Sequence, residues 1–394
     1  MSSAVTAPAL ISRFRPLMLG AGVIGLIVFS SGIFFDRGQF FHSYLFAFIF
    51  WTGVSVGSLA LLMLQHLTGG GWGLVIRRVL EAATRTLPLM LILFVPIVVG
   101  AHWIYPWTHP EVIAKSAALI EKAKYLNMPF FTLRAAIYFV VWLTLAYFLN
   151  RWSLAQDRGA GERPTKNMSV LSGPGMVLFV LTVTFASIDW VMSLDPEWSS
   201  TIYGFIFVAA WSLSSLAFVI AVMAILSKHE PMNHVVAQLH FHDLGKLLLA
   251  LVMLWAYFAF SQFLIIWSGN LPEEIRWYLP RTRGGWGALA LVVVILHFAF
   301  PFLFLLSRSL KRNASKLVIV ACLIIVMRLV DLLWMIAPQF NDGYFHISWM
   351  DVVAPIGIGG VWLATFLWQL GRRALLPIND PQYESVLEQA HASH

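Results

Sequence analysis

The sequence places a few ionisable side chains inside long apolar runs. Arg328 and Asp331 lie three residues apart, a spacing that puts both side chains on one face of a helix, so we expect them to pair. An embedded charge costs about 2.5–3.5 kcal/mol at the centre of a membrane helix and needs a partner, a neutral state or a water-filled cavity. The pair therefore either fixes packing alone or takes part in proton or quinone chemistry.

Two further embedded residues admit similar alternatives. Asp189 lies inside an apolar run; burial without a cation favours the neutral acid that a proton carrier needs, whereas Arg134 or Arg328 beside it would keep it ionised and structural. We favour the carrier role. His297 is the histidine nearest the middle of a run, four residues before Pro301. It is either a packing residue or an intermediate in a proton path.

A polar cluster precedes another apolar run. His240, His242, Asp243 and Lys246 are spaced so that a helix stacks His240 over Asp243 and Asp243 over Lys246. Two imidazoles and a carboxylate at a membrane surface indicate either a group that collects protons or an interfacial anchor.

These residues predict one path for protons. It starts at the 240–246 cluster and passes through His297 to Arg328, Asp331 and Asp189. The bridging positions that we expect are polar residues of two neighbouring runs: Ser212, Ser215, Tyr257, Ser261 and Gln262.

The composition requires membrane helices to position these residues. Of the 394 residues, 59% are hydrophobic and 11% are charged, against about 25% charged in soluble proteins. The apolar runs are continuous and about 20 residues long, which is typical of helices and not of barrel strands. We predict an all-α polytopic membrane protein, a single integral membrane domain over residues 1–394, with ten spans: 16–35, 40–64, 87–105, 130–149, 175–192, 202–226, 247–267, 286–306, 317–337 and 352–370.

The distribution of Lys and Arg predicts the orientation. One side of the ten-span plan carries 17 of these residues and the other carries 7, so both termini and the tail 371–394 are expected in the cytoplasm. The basic residues form no separate domain, which excludes nucleic acid as a partner. The stretch 151–172 has turn formers and mixed charge and is predicted to be a flexible loop.

The spans group into two sets. Spans 2–5 and 6–9 each start on the outer side, which predicts two four-helix bundles, with spans 1 and 10 peripheral. Gly53 and Gly57 form a face of small residues for a close helix contact.

Redox centres are not expected on this chain. The single cysteine, Cys322, excludes an iron–sulfur cluster held by cysteines and a C-x-x-C-H haem site. His42 and His102 lie too near the outer surface to face His297 across a haem. We predict no metal site, and no residue is assigned to a quinone.

Three stretches resemble a known family. They are HDLGKLLLALVMLWAYFAFSQFLIIWSGNLPEE at 242–274, SIDWVMSLDPEWSSTIYG at 187–204 and RLVDLLWMIAP at 328–338. The chain resembles the F-type membrane subunit of bacterial alternative complex III, among the polysulfide-reductase-like (NrfD-like) membrane subunits. The ten-span plan is similar over nearly the whole length.

The resemblance implies a subunit without redox centres in a quinol:cytochrome c oxidoreductase of the bacterial cytoplasmic membrane, or one that uses another high-potential acceptor. It implies as partners a related ten-helix subunit, an iron–sulfur subunit and c-type cytochrome subunits, which would hold the clusters and haem c. Menaquinol, another quinol or lipid is the small molecule expected nearby. Carried onto this sequence, the resemblance supports Asp189, His242, Asp243, Lys246 and Asp331 as positions in a proton pathway coupled to quinol oxidation.

Two other functions stay open. One is a secondary transporter or channel built on a repeat, although Pro88, Pro96 and Pro301 do not fall at matching places. The other is a passive anchor for redox partners in which every embedded charge is merely paired.

Overall fold

The protein is described from a computed structural model that covers residues 9–159, 161–341 and 344–392. Within these ranges the chain is helical and contains no strand. The predicted domain 1–394 and tail 371–394 include residues 1–8, 160, 342–343 and 393–394, which lie outside the described residues.

Ten helices of the described chain are long and apolar enough to cross a membrane, as the sequence predicted. We name them α1 to α10: Ile11–Phe34, Arg37–Thr68, Gly71–Val99, Met128–Asp157, Arg163–Leu194, Tyr203–Leu226, Gln238–Gly269, Gly284–Leu306, Ala314–Gln339 and Trp349–Leu370. The chain is therefore a multi-pass membrane protein. We call the end that holds Ile11, Thr68 and Leu370 the terminal face and the other end the opposite face; that the terminal face is cytoplasmic stays a prediction.

The predicted spans were too short at several ends. The third was expected at 87–105, whereas α3 begins at Gly71, includes a turn at Arg85 and Thr86, and ends at Val99. Charged residues in its first half concealed the helix. The predicted loop 151–172 was also wrong, because α4 continues to Asp157 and α5 begins at Arg163.

Side-chain caps set several helix starts. Asp36 accepts a hydrogen bond from the Gln39 amide at α2, and Asn127 does the same for Phe130 at α4. Such caps satisfy amide groups that the first helical turn leaves unpaired. They fix where the chain re-enters the bundle after each connection.

The helices pack as two groups of four. In bundle A, α2 contacts α3 and α5, and α4 contacts α5; in bundle B, α6 contacts α7 and α9, and α8 contacts both of these. The two bundles meet where α2 packs against α6. Helix α10 lies against α2, and α1 packs mainly against α10, so these two helices are peripheral.

Glycines permit the closest helix crossings. A Cβ on Gly57 would collide with the backbone of Trp211, and one on Gly53 would collide with the Trp211 ring. The predicted small-residue face of α2 is therefore the face that meets α6. Gly22 of α1 and Gly360 of α10 make a second backbone-to-backbone contact.

Candidate functional site

Bundle A holds one embedded carboxylate in a complete set of hydrogen bonds. Arg134 of α4 reaches Asp189 of α5 with two parallel bonds, from Nε at 2.8 Å and from Nη2 at 2.9 Å. Tyr138, one helical turn further along α4, donates its hydroxyl to the same carboxylate at 2.6 Å. The remaining Nη1 of Arg134 donates to the Tyr125 carbonyl, and the Tyr125 ring covers the guanidinium.

This geometry answers the question posed for Asp189. The bidentate Arg134 supplies the cation that the structural alternative requires, whereas the proton-carrier role was expected for an Asp189 without one. The expectation of a free Asp189 is corrected on that ground. Sequence alone left Arg134 and Arg328 as equal candidates, and the packing of α4 against α5 selects Arg134.

Bundle B holds a similar pair whose hydrogen bonds are incomplete. Arg328 and Asp331 of α9 form the expected ion pair through Nη1. Arg328 is fully buried, yet its Nε and Nη2 have no hydrogen-bond partner among the described residues. Phe207 of α6 lies 5.7 Å from the guanidinium. Unsatisfied buried donors of this kind are rare and call for an explanation.

His297 lies in the same part of bundle B. Its ring packs edge to face on Trp255 of α7, with 4.3 Å between ring centroids, and Trp255 in turn lies beside Asp331. The imidazole is fully buried. Neither of its nitrogens finds a partner in the described part of the chain.

The local backbone explains why His297 points inward. Residues Val294–Ala299 form a π-helical turn within α8. Pro301 has no N–H and would clash with the carbonyl of His297 in a regular α-helix. The wider π turn relieves that clash, and π turns are frequent at functional sites.

The 240–246 cluster lies at the terminal face, far from His297. Asp243 and Lys246 form the expected pair at 3.0 Å on the surface, whereas His240 accepts the Ala237 amide and caps α7. His242 is partly exposed. Along α7, His242 and Trp255 are separated by about 20 Å at about 1.5 Å per residue.

Apolar side chains fill that interval. Leu244, Leu248 and Val252 of α7 are buried, and so are Leu305 of α8 and Ile324 of α9. The structure therefore does not connect His242 and Asp243 to His297 through side chains of bundle B.

Several of the predicted bridging residues lie outside this path or bond to other groups. Tyr257 is 64% exposed on the outside of α7, so its placement in the path was wrong. Gln262 bonds Ser200 and Tyr278 near the opposite face, and Ser212 donates to its own helix. In membrane helices both the buried and the lipid-facing sides are apolar, so periodicity does not tell them apart.

Sequence reasoning missed a charge network at the terminal face of bundle A. Glu81 of α3 is fully buried and is bonded by Arg77, Arg78 and Arg373, with the Ser153 hydroxyl donating to it at 2.5 Å. These residues had been assigned to a loop. Repeated Arg-to-Glu spacings of three and four residues were the available helical signal.

The C-terminal segment closes this network. Asp380 accepts from Arg77 at 2.8 Å and from Gln156 at 3.2 Å, and Gln382 accepts from the Gly70 amide at 3.1 Å. The segment therefore packs over the terminal end of α3 and α4.

Hydroxyl pairs near mid-span were also missed in part. Ser58 of α2 and Ser215 of α6 lie 2.7 Å apart across the interface between the bundles, so Ser215 faces bundle A. Ser55 and Thr86 pair at 2.8 Å, and Trp362 donates to Ser55. These bonds satisfy buried hydroxyl groups where α2 meets α6, α3 and α10.

Charged and aromatic residues cover bundle B at the opposite face. Burial lowers the pKa of Arg281 to about 10; this guanidinium donates to the carbonyls of Met335 and Trp277 and stacks on the Trp277 ring. Tyr203 lies within electrostatic reach of Arg281 on one side and of Arg328 and Asp331 on the other. Polar groups thus extend from the opposite face to the middle of bundle B.

A cleft between α2, α9 and α10 opens at the opposite face and includes Gln39, His42, Phe340 and Asp351. Asp351 is already held by Ser43 at 2.6 Å, by Gln39 and by the Ser348 amide. His42 stacks on Phe340. Gln39, His42 and Asp351 are thus already bonded or stacked within the chain, and we assign no ligand to this cleft.

In the ranges covered by the structure, no three or more His, Cys, Asp or Glu residues are grouped so that they could hold a metal ion. Neither the scan against protein-family models nor the search of curated proteins finds a match for this chain.

Proposed function

We propose that this protein is a membrane subunit of a quinol:cytochrome c oxidoreductase, or of one using another high-potential acceptor, in the bacterial cytoplasmic membrane. Its role in that complex is to provide a proton pathway coupled to quinol oxidation. Its proposed partners are a related ten-helix subunit, an iron–sulfur subunit that holds the clusters and c-type cytochrome subunits that hold haem c. The family resemblance of residues 242–274, 187–204 and 328–338 supports this assignment.

One observation carries the proton-pathway part of the proposal. Arg328, Asp331 and His297 are buried together in bundle B, and several of their nitrogens lack hydrogen bonds within the described ranges. Buried polar groups that serve packing alone are normally satisfied. Embedded ionisable groups that are not satisfied are typical of ion and proton pathways.

The proposed roles follow from position. Asp331 and Arg328 form the charged centre, and His297 exchanges hydrogen bonds at the middle of the bundle. The surface residues His242, Asp243 and Lys246 would collect protons at the terminal face, and His240 would hold the start of α7. Asp189 would serve as a fixed support for bundle A through its bonds to Arg134 and Tyr138.

A passive anchor is the second candidate, and the saturated Arg134–Asp189 pair favours it for bundle A. A transporter or channel has less support, because the interrupted helices of the described chain do not correspond between the bundles. The π turn occurs in α8, the third helix of bundle B, whereas the turn at Arg85 and Thr86 interrupts α3, the second helix of bundle A.

Isolation from native membranes tests the redox assignment. An affinity tag on this chain should recover a complex with c-type haem absorption and an iron–sulfur electron paramagnetic resonance signal. A homogeneous preparation without either signal would contradict membership of a redox complex.

Proteoliposomes test the proton pathway. The intact complex carrying Asp331→Asn should lose most of its quinol-driven proton movement while cytochrome reduction continues. Tyr257→Phe is the matched control, since Tyr257 faces outward from the same bundle. Unchanged proton movement in the Asp331→Asn complex would contradict the proton pathway and favour the passive-anchor function for bundle B.

A further inference from the structure

Two side chains with unsatisfied nitrogens near the middle of bundle B, Arg328 and His297, belong to one cluster with Asp331 and Trp255. Arg328 is bonded to Asp331, Trp255 lies beside Asp331, and His297 touches Trp255. Arg328 is also within electrostatic reach of His297. The four side chains come from α7, α8 and α9 and surround a single region of the bundle.

The chemistry of this cluster is dominated by donors. Arg328 Nε contributes one N–H, its Nη2 contributes two, and the Trp255 indole contributes one. A neutral His297 adds one donor and one acceptor. The Trp255 indole is directed at Asp331, whereas Nε and Nη2 of Arg328 and both nitrogens of His297 have no hydrogen-bond partner in residues 9–159, 161–341 and 344–392. Leaving a buried donor unsatisfied costs about 1–3 kcal/mol, so the cluster requires small acceptors.

Water is the smallest acceptor available to such a cluster. Trp255 is 5% exposed and the Asp331 side chain is also 5% exposed, although both lie on inward faces of their helices. A buried water needs two to four polar partners and little volume. The close contact of His297 with Trp255 leaves no room for a ring-sized ligand between them.

We propose that Trp255, His297, Arg328 and Asp331 form a binding site for water molecules in the middle of bundle B. The waters accept hydrogen bonds from Arg328 and donate to Asp331 and to the unprotonated nitrogen of His297. The buried side chains of Leu248, Val252 and Ile324 lie between this site and the terminal face.

This inference deepens the proposed function, because a bound water chain is the medium through which a proton would move between these groups. The site itself depends only on the geometry of bundle B. The water site would remain supported if no redox partner were found, so an experiment can contradict the water site and the proposed function independently.

Radiolytic hydroxyl-radical labelling of the full chain in nanodiscs tests the site. Radicals formed from bound water oxidise adjacent side chains even when these are buried. Trp255 should be oxidised at least about fivefold faster than Trp142, a buried tryptophan of bundle A whose indole nitrogen is bonded to Thr182. Equal, slow oxidation of Trp255 and Trp142 would show that the cluster is dry and overturn the proposal.

An infrared measurement gives a second, independent test. Hydrated films should show water O–H stretching bands that shift in H₂¹⁸O, and His297→Phe should remove part of them. Tyr257→Phe, on the outer side of α7, should leave them unchanged. Bands that are identical in the wild type and in a folded His297→Phe variant would contradict the assignment.

Discussion

Bundles A and B each bury an arginine–aspartate pair, but the two pairs differ in how many hydrogen bonds they make. In bundle A, Asp189 receives two bonds from Arg134 and one from Tyr138, and the arginine comes from a neighbouring helix. In bundle B, Arg328 and Asp331 share one helix and one bond. The second pair leaves donors free for other groups.

We interpret the pair in bundle A as a support for the helices and the pair in bundle B as part of the proposed proton pathway. Two carboxylates at corresponding spans, the fourth helix of each bundle, have opposite surroundings. The Asp189 carboxylate has its hydrogen bonds filled by Arg134 and Tyr138, whereas the incomplete pair next to His297 has nitrogens that are open to other partners. Similar residue types in similar places are therefore insufficient to assign a role.

The largest loss of stability is expected for Asp189→Asn. The change leaves Arg134 buried without a full counter-charge, which typically costs about 3–5 kcal/mol. We expect the midpoint of thermal unfolding in detergent to fall sharply. The double variant Arg134→Gln/Asp189→Asn should recover much of the loss; equal instability of both variants would mean that the ion pair is not the cause.

Tyr138→Phe should cause the next largest loss of stability. It removes a hydrogen bond to a charged acceptor, worth about 1.5–3 kcal/mol. Chemical unfolding of the purified chain measures the difference from the wild type. Tyr257→Phe, at an exposed hydroxyl, serves as the control with little change, and a Tyr138→Phe variant as stable as this control would argue against a saturated site.

His297→Leu should change stability less than Tyr138→Phe. His297 donates and accepts no hydrogen bond within the portion of the protein that is described, and leucine has a similar volume, so we expect a change below about 1 kcal/mol. Proton movement in the complex should nevertheless fall. A loss of several kcal/mol, measured in the same unfolding assay, would place His297 among the packing residues.

The smallest change in stability is expected at the surface of the opposite face, where Glu197 lies. Hydrogen bonding from Ser116, followed by Arg276, lowers the pKa of Glu197 below its usual 4.5. A lowered pKa contributes stability above pH 4.5 that is lost as the pH falls below it. Because the pair is partly exposed, it is worth less than about 1 kcal/mol. Glu197→Gln should therefore flatten the acid limb of the stability profile slightly, and an unchanged limb would contradict this contribution.

Burial acts in the opposite direction on the neighbouring Asp195. It raises the pKa of that carboxyl above 3.8, so the stability linked to Asp195 is present at low pH and is lost as the pH rises through its folded-state pKa. The Glu197→Gln comparison isolates Glu197 from this opposing contribution.

Local sequence features predicted the parts of the structure that depend on one helix. The pairing of Arg328 with Asp331 and of Asp243 with Lys246 follows from a spacing of three residues. The ten spans follow from the length of apolar runs. Both require no knowledge of which helices are neighbours.

Features that depend on packing between helices were not predictable from one sequence. The choice of Arg134 for Asp189 requires α4 to lie beside α5. The Glu81 network combines α3, α4 and the C-terminal segment, and its charges hid the first half of α3. Tyr257 was assigned inward because an apolar run carries no signal that separates lipid from core.

Proton movement per electron in proteoliposomes tests the contrast between the bundles most directly. The intact complex would carry either Asp331→Asn or the charge-neutral double variant Arg134→Gln/Asp189→Asn. We predict that Asp331→Asn abolishes most proton movement while the double variant retains it. The reverse result, or full retention in both complexes, would contradict the assignment of bundle B as the proton-conducting half.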